Sequence, residues 1–566
     1  MTDTQLRGKW GAALLALLLL GVQGNSQTNF LSITGTAGLT VGESVASVGD
    51  MTGDGVPEIA SGGMDTLTGE GVVTLFSGID GAIEFVFLPS PSLGFGPSVD
   101  GGADLDQDNV PDIVIGSPGW NNSSGAVHVY SGATKALIRT HFGQPNQRFG
   151  DVVRILPDLD DDGVAEYAVG APHDGSISGP GTAYVYSGAT GALKYPLVGG
   201  GGTGDLYGYA IADVGDIDLD NVPDFAVGAP GLTISKQSQG GVFLYSGATG
   251  SFLRVDEGVA KFALFGLAIA GVDDVNGDSV PDYVTTRFHF NLSTNAAAIM
   301  SGASEQLLKT IFSPLDDEQY LASASIASID DQDGDGIRDV VMRNRPSVGS
   351  ATDGHALVSS SSTANAQYLI MDDDSDASAF ADIIAAQCDD FDGDGSGDVL
   401  VASKWEQPTG VVEVYSLRSL VALQDQLPAN TGAAIPFDLN GGVPRAGDTY
   451  IVLGGFSGTT PGFNVGITHV PINYDLFTAW TVNLANVPPF VTTFGTLDAV
   501  DGKASASFDM TGIPLPPAAV GLTLSFAYAV KGDVGGAMDG GDAAGVAWYF
   551  ASNPENVAIV ASIPGG

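Results

Sequence analysis

Short apolar runs set off by Gly, Pro, Asn or Asp recur along the chain, among them "EIAS", "DIVIG", "EYAVG", "DFAVG", "DYVTT", "DVVMR" and "DVLVA". Between them lie alternating stretches such as "GAVHVYSGA" and "GTAYVYSGA", whose period of two belongs to a half-buried strand and not to a helix. The pattern predicts many short strands joined by tight turns. One apolar run is different. Gly11 to Val22 follows Arg7 and Lys9 and leads into small residues near Gly24, the form of a secretory signal over residues 1–24. At 12 residues it is shorter than the roughly 20 needed to span a bilayer, and no later run reaches that length. The expectation is a soluble, exported protein.

Each of the seven apolar runs is preceded by an acidic stretch of fixed form: "DMTGDGVPE", "DLDQDNVPD", "DLDDDGVAE", "DIDLDNVPD", "DVNGDSVPD", "DQDGDGIRD" and "DFDGDGSGD". The copies begin at Asp50, Asp104, Asp158, Asp216, Asp274, Asp331 and Asp390, at spacings of 54, 54, 58, 58, 57 and 59. A near-constant period of this size marks a repeat architecture, here over about residues 35–424. Oxygen-bearing side chains occupy four loop positions. The first is always Asp. The third holds Thr52, Asp106, Asp160, Asp218, Asn276, Asp333 and Asp392; the fifth holds Asp54, Asp108, Asp162, Asp220, Asp278, Asp335 and Asp394. The ninth holds Glu58, Asp112, Glu166, Asp224, Asp282, Asp339 and Asp398.

Alternate oxygens on a curled loop suit a hard cation, and Ca²⁺, which takes six to eight oxygens at about 2.3–2.6 Å, fits better than Mg²⁺. The sixth position is Gly, Asn or Ser, as a backbone with φ > 0 requires, with Ser279 the least suited. An EF-hand is excluded: position 12 of the sixth loop is Met342 and the flanks are strand-like. Up to seven structural Ca²⁺ ions are expected. Loops 1 and 5, with Thr52 and Asn276 in place of carboxylates, should bind more weakly than loops 2, 3, 4 and 6.

These residues resemble the FG-GAP repeats of the integrin alpha-chain propeller. The Phe-Gly element stands at Phe95-Gly96, Phe149-Gly150 and Phe265-Gly266, with Tyr207-Gly208 as a variant; Gly-Ala-Pro stands at 170–172 and 228–230. The resemblance implies an all-β, seven-bladed β-propeller over residues 25–424, with each calcium loop joining the first two strands of a four-stranded blade. "NFLSITG" is placed to supply the outer strand of blade 7. In that family the ligand face lies opposite the calcium loops. Blades 5 to 7 replace Gly-Ala-Pro with Thr286-Arg287-Phe288, Arg343-Asn344-Arg345 and Ala402-Ser403-Lys404, so Arg287, Phe288, Arg343, Arg345, Lys404 and Trp405 are the candidate ligand-binding residues. Residues 428–566 lack the loop and alternate as "TYIVLGG", "TAWTVNL", "ASASFDM", "LTLSFAYAV" and "NVAIVAS", which predicts a small antiparallel β-sandwich of unknown role.

Charge narrows the function. A net charge of -46 disfavours nucleic acid and anionic lipid. Cys388 is the only cysteine, so disulfides do not stabilise this exported chain, and it aligns with apolar positions of other repeats as a buried thiol. The six histidines fall at unrelated repeat positions, and no nucleophile elbow or zinc-protease motif is present. The leading expectation is a secreted, non-catalytic adhesion or matrix-associated propeller that binds extracellular protein or acidic glycan. A polysaccharide-active hydrolase or lyase, and a purely structural envelope or matrix component, are the alternatives.

Overall fold

A computed structural model describes residues 28–36, 38–88, 94–172, 181–199, 202, 204–289, 294–312, 325–332, 335–344, 355–364, 366–371, 383–385, 390–391, 397–403 and 409–416, and from 420 to 560 the residues of the strands. The chain divides into two compact units, one formed mainly by Leu31–Asp389 with Gly397–Val414, the other mainly by Tyr415–Gly566.

The first unit is a seven-bladed β-propeller. Blade 1 is the four-stranded antiparallel sheet Ser44–Ser47, Ile59–Asp65, Glu70–Phe76 and Ile83–Phe87, in chain order from inside to outside. Blades 2 to 6 repeat the meander, with inner strands Val99–Ala103, Val152–Leu156, Ala210–Gly215, Ile269–Val272 and Ile326–Ile329. In blade 7, Ile383–Ala385, Val399–Ser403 and Val411–Ser416 are completed on the outside by Thr28–Thr34, as the position of "NFLSITG" suggests. The inner strands touch in cyclic order and blade 7 meets blade 1, so the ring closes.

Burial explains the sequence pattern. The second strands of blades 2, 3 and 4 are buried at every position, which is why they read as continuous apolar runs and not as alternation. Outer strands are half-covered and expose their first residue, as at Ile83, Leu137, Leu193 and Phe252.

The Phe-Gly and Gly-Ala-Pro elements are two halves of one joint between neighbouring blades. Phe95, Phe149, Tyr207 and Phe265 are buried. A Cβ placed on Gly116, Gly170 or Gly228 of one blade would lie 2.1 Å from the carbonyl oxygen of Gly150, Gly208 or Gly266 in the next. Gly62 of blade 1 stands the same way against Gly96, at 1.9 Å. Only glycine permits that approach. Where the second strand carries Thr286 or Arg343 instead, the following blade has no Phe-Gly in its sequence, so the two departures are one change.

In the second unit, Leu420–Ala422, Ala434–Asn440, Lys503–Asp509 and Phe490–Val491 form one sheet. Gln426–Pro428, Glu555–Val560, Thr523–Gly532, Thr449–Gly455 and Phe494–Thr496 form another, with Ala547–Ala551 on Thr523–Gly532. The pairing is not wholly antiparallel as expected, because Gln426–Pro428 runs parallel to Glu555–Val560. The strand expected in "TAWTVNL" lies outside the described residues.

Candidate metal centres

Each acidic loop joins the inner strand of a blade to its second strand, and its first carboxylate is the organiser. In blade 1 Asp50 Oδ1 accepts the backbone N–H of Gly53 at 2.6 Å and of Asp54 at 3.2 Å, and Oδ2 accepts that of Gly55 at 2.8 Å. Asp104, Asp158 and Asp274 repeat all three bonds, and Asp216 and Asp331 accept the N–H of the sixth residue at 2.8 and 2.7 Å. These amides favour the ionised form. Desolvation pushes the Asp158 and Asp274 carboxyls up, but the backbone N–H groups outweigh it and leave both lowered.

The fifth carboxylate makes the next turn. One oxygen of Asp54, Asp108, Asp162, Asp220, Asp278 and Asp335 accepts the N–H two residues on, at 2.9–3.0 Å in every case. The geometry commits one oxygen to the turn and leaves the other for the loop centre.

The ninth residue is buried and ties the loop to the blade. Asp112 Oδ2 accepts Leu105 N–H and Oδ1 accepts Gly132 N–H, at 2.8 and 2.9 Å. Asp224 and Asp282 make the same pair, with Ile217 and Gly247 and with Val275 and Gly302. The Ser-Gly-Ala turn must carry glycine there, because a Cβ on Gly132 would lie 1.7 Å from the Pro111 carbonyl oxygen. Burial raises these acids: Glu58 is pushed up to about 7, and Asp112 and Asp224 to about 6, despite the amides that oppose it. A buried carboxylate in that condition favours a nearby positive charge.

The carboxylate oxygens converge. Ligand atoms of Asp50, Asp54 and Glu58 lie within 4.8 Å of one another, as do those of Asp104, Asp106 and Asp108; of Asp158, Asp160 and Glu166; and of Asp216, Asp218 and Asp224. An all-oxygen donor set of this kind fits a hard cation. Asp333, Asp392 and Asp394 lie outside the described residues, while Asp339 and Asp398 are buried like their counterparts.

Among the charged side chains near these loops that the loop motif does not anticipate, Lys194 and Glu84 come from outer strands. Lys194 donates to Asp160 Oδ2 at 2.6 Å and Glu166 Oε1 at 3.0 Å in loop 3. Burial lowers its pKa, but the two carboxylates prevail and hold it above the ordinary lysine range. Glu84 occupies the matching strand position in blade 1. Desolvation and the charges of Asp54, Asp80 and Asp50 raise it against the opposing Lys135. The clue lay in alignment of the strand after each Ser-Gly turn, where Glu84, Ile138, Lys194, Leu253 and Leu308 stand in register.

The candidate ligand residues are less concentrated. Arg287 lies within the second strand of blade 5, paired with Ala296, and its Nη1 donates to Thr310 Oγ1 at 3.2 Å. Arg343 lies within the second strand of blade 6, paired with Ala356. In blade 5 the second strand runs on through Thr286-Arg287-Phe288 to His289, whereas in blade 6 it ends at Asn344. The Phe288 side chain and all of Arg345, Lys404 and Trp405 lie outside the described residues.

The FG-GAP repeat family matches residues 95–130, from the Phe-Gly element of blade 2 through its third strand. The chain is similar to integrin alpha chains: 27% identical over 239 residues to integrin alpha-5 of Xenopus laevis, covering 39% of this chain and 22% of that one. Integrin alpha-6 of Homo sapiens is 31% identical over 204 residues, covering 34% and 17%, and integrin alpha-V of Gallus gallus 31% over 211 residues, covering 34% and 20%. The likeness thus spans about a fifth of these relatives' length. Among solved structures, the Dos1 propeller is similar at 10% identity with a TM-score of 0.38, over 64% of this chain and 75% of that one.

Proposed function

We propose that the protein is a secreted, calcium-stabilised, non-catalytic propeller that binds an extracellular protein or an acidic glycan in adhesion or matrix association. The convergence of carboxylate oxygens at the same place in successive blades carries this reading. Each loop gathers acids that repel one another and buries the ninth, so the native fold gains from a divalent cation that the unfolded chain cannot hold in this geometry. A single site contributes about 2.7 kcal/mol at a hundredfold excess of ion over Kd. Similarity to integrin alpha chains supports adhesion as the role. Arg287, Phe288, Arg343, Arg345, Lys404 and Trp405 remain the proposed sector for an acidic partner, since guanidinium groups pair bidentately with carboxylate or sulfate.

Thermal unfolding in calcium and in EDTA tests the metal. Chelation is expected to lower the melting temperature by many degrees, and restored calcium to recover it; identical curves would rule calcium out as a folding ligand. Calcium-loaded protein is then screened on an array of acidic glycans and extracellular proteins. Binding that is lost in Arg287→Ala at unchanged melting supports the sector.

A further inference from the structure

At the second position of the outer strands of blades 1 to 5, one residue is a cation. Ile138, Leu253 and Leu308 are apolar and Glu84 is acidic, whereas Lys194 carries an ammonium into the loop of its own blade. Two of the three acids that converge in loop 3, Asp160 and Glu166, are its partners, at 2.6 and 3.0 Å. The Lys194 side chain is 12% exposed and the Glu166 side chain fully buried, so the ion pair sits inside the blade and not on its surface.

We infer that Lys194 is the resident cation of loop 3, and that this blade keeps its shape without the calcium taken by loops with an apolar or acidic residue at that position. The inference rests on the calcium reading above. A divalent ion bound to loop 3 would need oxygens of Asp160 and Glu166 at about 2.3–2.6 Å. The ammonium already uses both acids, and an ion beside it would add like-charge repulsion. Lysine also supplies what the buried Glu166 requires, a positive charge at hydrogen-bonding distance, and as part of the chain it does so at any calcium concentration. Loop 3 therefore does not rank with loops 2, 4 and 6, where its full set of acids would place it. In loop 1 the change goes the other way: Glu84 adds a carboxylate beside the loop that lacks one at Thr52.

The test uses the full chain and two neutral variants, Lys194→Met and Lys194→Gln, the second retaining a hydrogen-bonding head should the first fail to fold. Bound calcium per chain is counted at saturation by equilibrium dialysis, and melting is recorded in EDTA and in calcium. The variants are expected to bind one more ion per chain than the wild type, to melt below it in EDTA and to regain the difference in calcium. Equal, non-zero stoichiometry in wild type and variants would overturn the role of Lys194 alone. No calcium on any of the three proteins would overturn the calcium reading itself.

Discussion

Ser279 stands where the backbone takes a left-handed turn, with φ of 70°. The sixth loop residues Gly55, Asn109, Gly163, Asn221, Ser279 and Gly336 all have positive φ, between 67° and 90°, because only that turn points their N–H at the first carboxylate. An L-residue in this region costs about 1–2 kcal/mol, more than the roughly 0.5–1 kcal/mol that glycine costs through chain entropy. Ser279 is exposed, and its contribution to the loop is its N–H, which lies 2.6 Å from Asp274 Oδ2. Ser279→Gly is therefore expected to stabilise the protein by about 0.5–1 kcal/mol at saturating calcium. Urea unfolding reads the change, and a lower midpoint would show that the hydroxyl has a role the backbone argument misses. The need for φ > 0 at the sixth position is legible in the sequence from its Gly and Asn residues. The same need at the fourth is hidden, since Gln107, Asp161 and Leu219 adopt φ of 65°, 60° and 63°, the first two with their N–H on the same carboxylate.

At four of the blade junctions the residue just before one loop is matched to the eighth residue of the next loop. Gly49 faces Pro111, and Gly215 faces Pro281; a Cβ on either glycine would come within 2.8 Å of the ring. Where the partner keeps its N–H, the glycine becomes an acceptor: Asp273 Oδ2 accepts Arg338 N–H at 2.7 Å, and Asp330 Oδ2 accepts Gly397 N–H at 2.8 Å. Outer strands add a second link, through Arg139 to the Gly188 carbonyl, Tyr195 to that of Gly247 and Arg254 to that of Gly302, at 2.5, 3.0 and 2.5 Å. Arg338→Pro alone removes the donor and sets a ring against Asp273, so a loss of about 2–3 kcal/mol is expected. Asp273→Gly alone should cost about 1–2 kcal/mol. The double change reproduces the Gly–Pro match of blades 1 and 4, and urea unfolding should find it more stable than Arg338→Pro; a sum of the two losses would mean that the pairing is incidental. The loops were readable because all their acidic positions lie within nine consecutive residues. Glu166 and Lys194 are 28 residues apart, and no local pattern reports a strand that folds back over its own blade. Matched pairs such as Asp273 and Arg338, 65 residues apart, are visible only once blades are set side by side.

Seven repeats of near-constant length announced seven blades, but closure of the ring depends on one strand far from its partners in sequence. Thr28–Thr34 completes the sheet of blade 7 from outside, and the chain that follows continues the attachment: Gly35 N–H donates to the Gly410 carbonyl at 3.0 Å, Val41 N–H to that of Thr409 at 2.9 Å, and Thr409 Oγ1 to that of Gly35 at 2.8 Å. Leu31 and Ile33 are buried, Ile33 close against the turn at Gly81 of blade 1, so the same strand that fills blade 7 also packs on its neighbour. Burial of two such side chains stabilises by about 3–6 kcal/mol before any hydrogen bond is considered. Deleting Thr28–Thr34 would strip this packing and leave Val411–Ser416 as an unpaired edge, open to another copy. Melting in saturating calcium is expected to fall by many degrees, since metal in the loops does not replace an outer strand. Size-exclusion chromatography should show association that grows with concentration. A deleted protein that melts like the wild type and stays monomeric would mean that the inner strands close the ring without it.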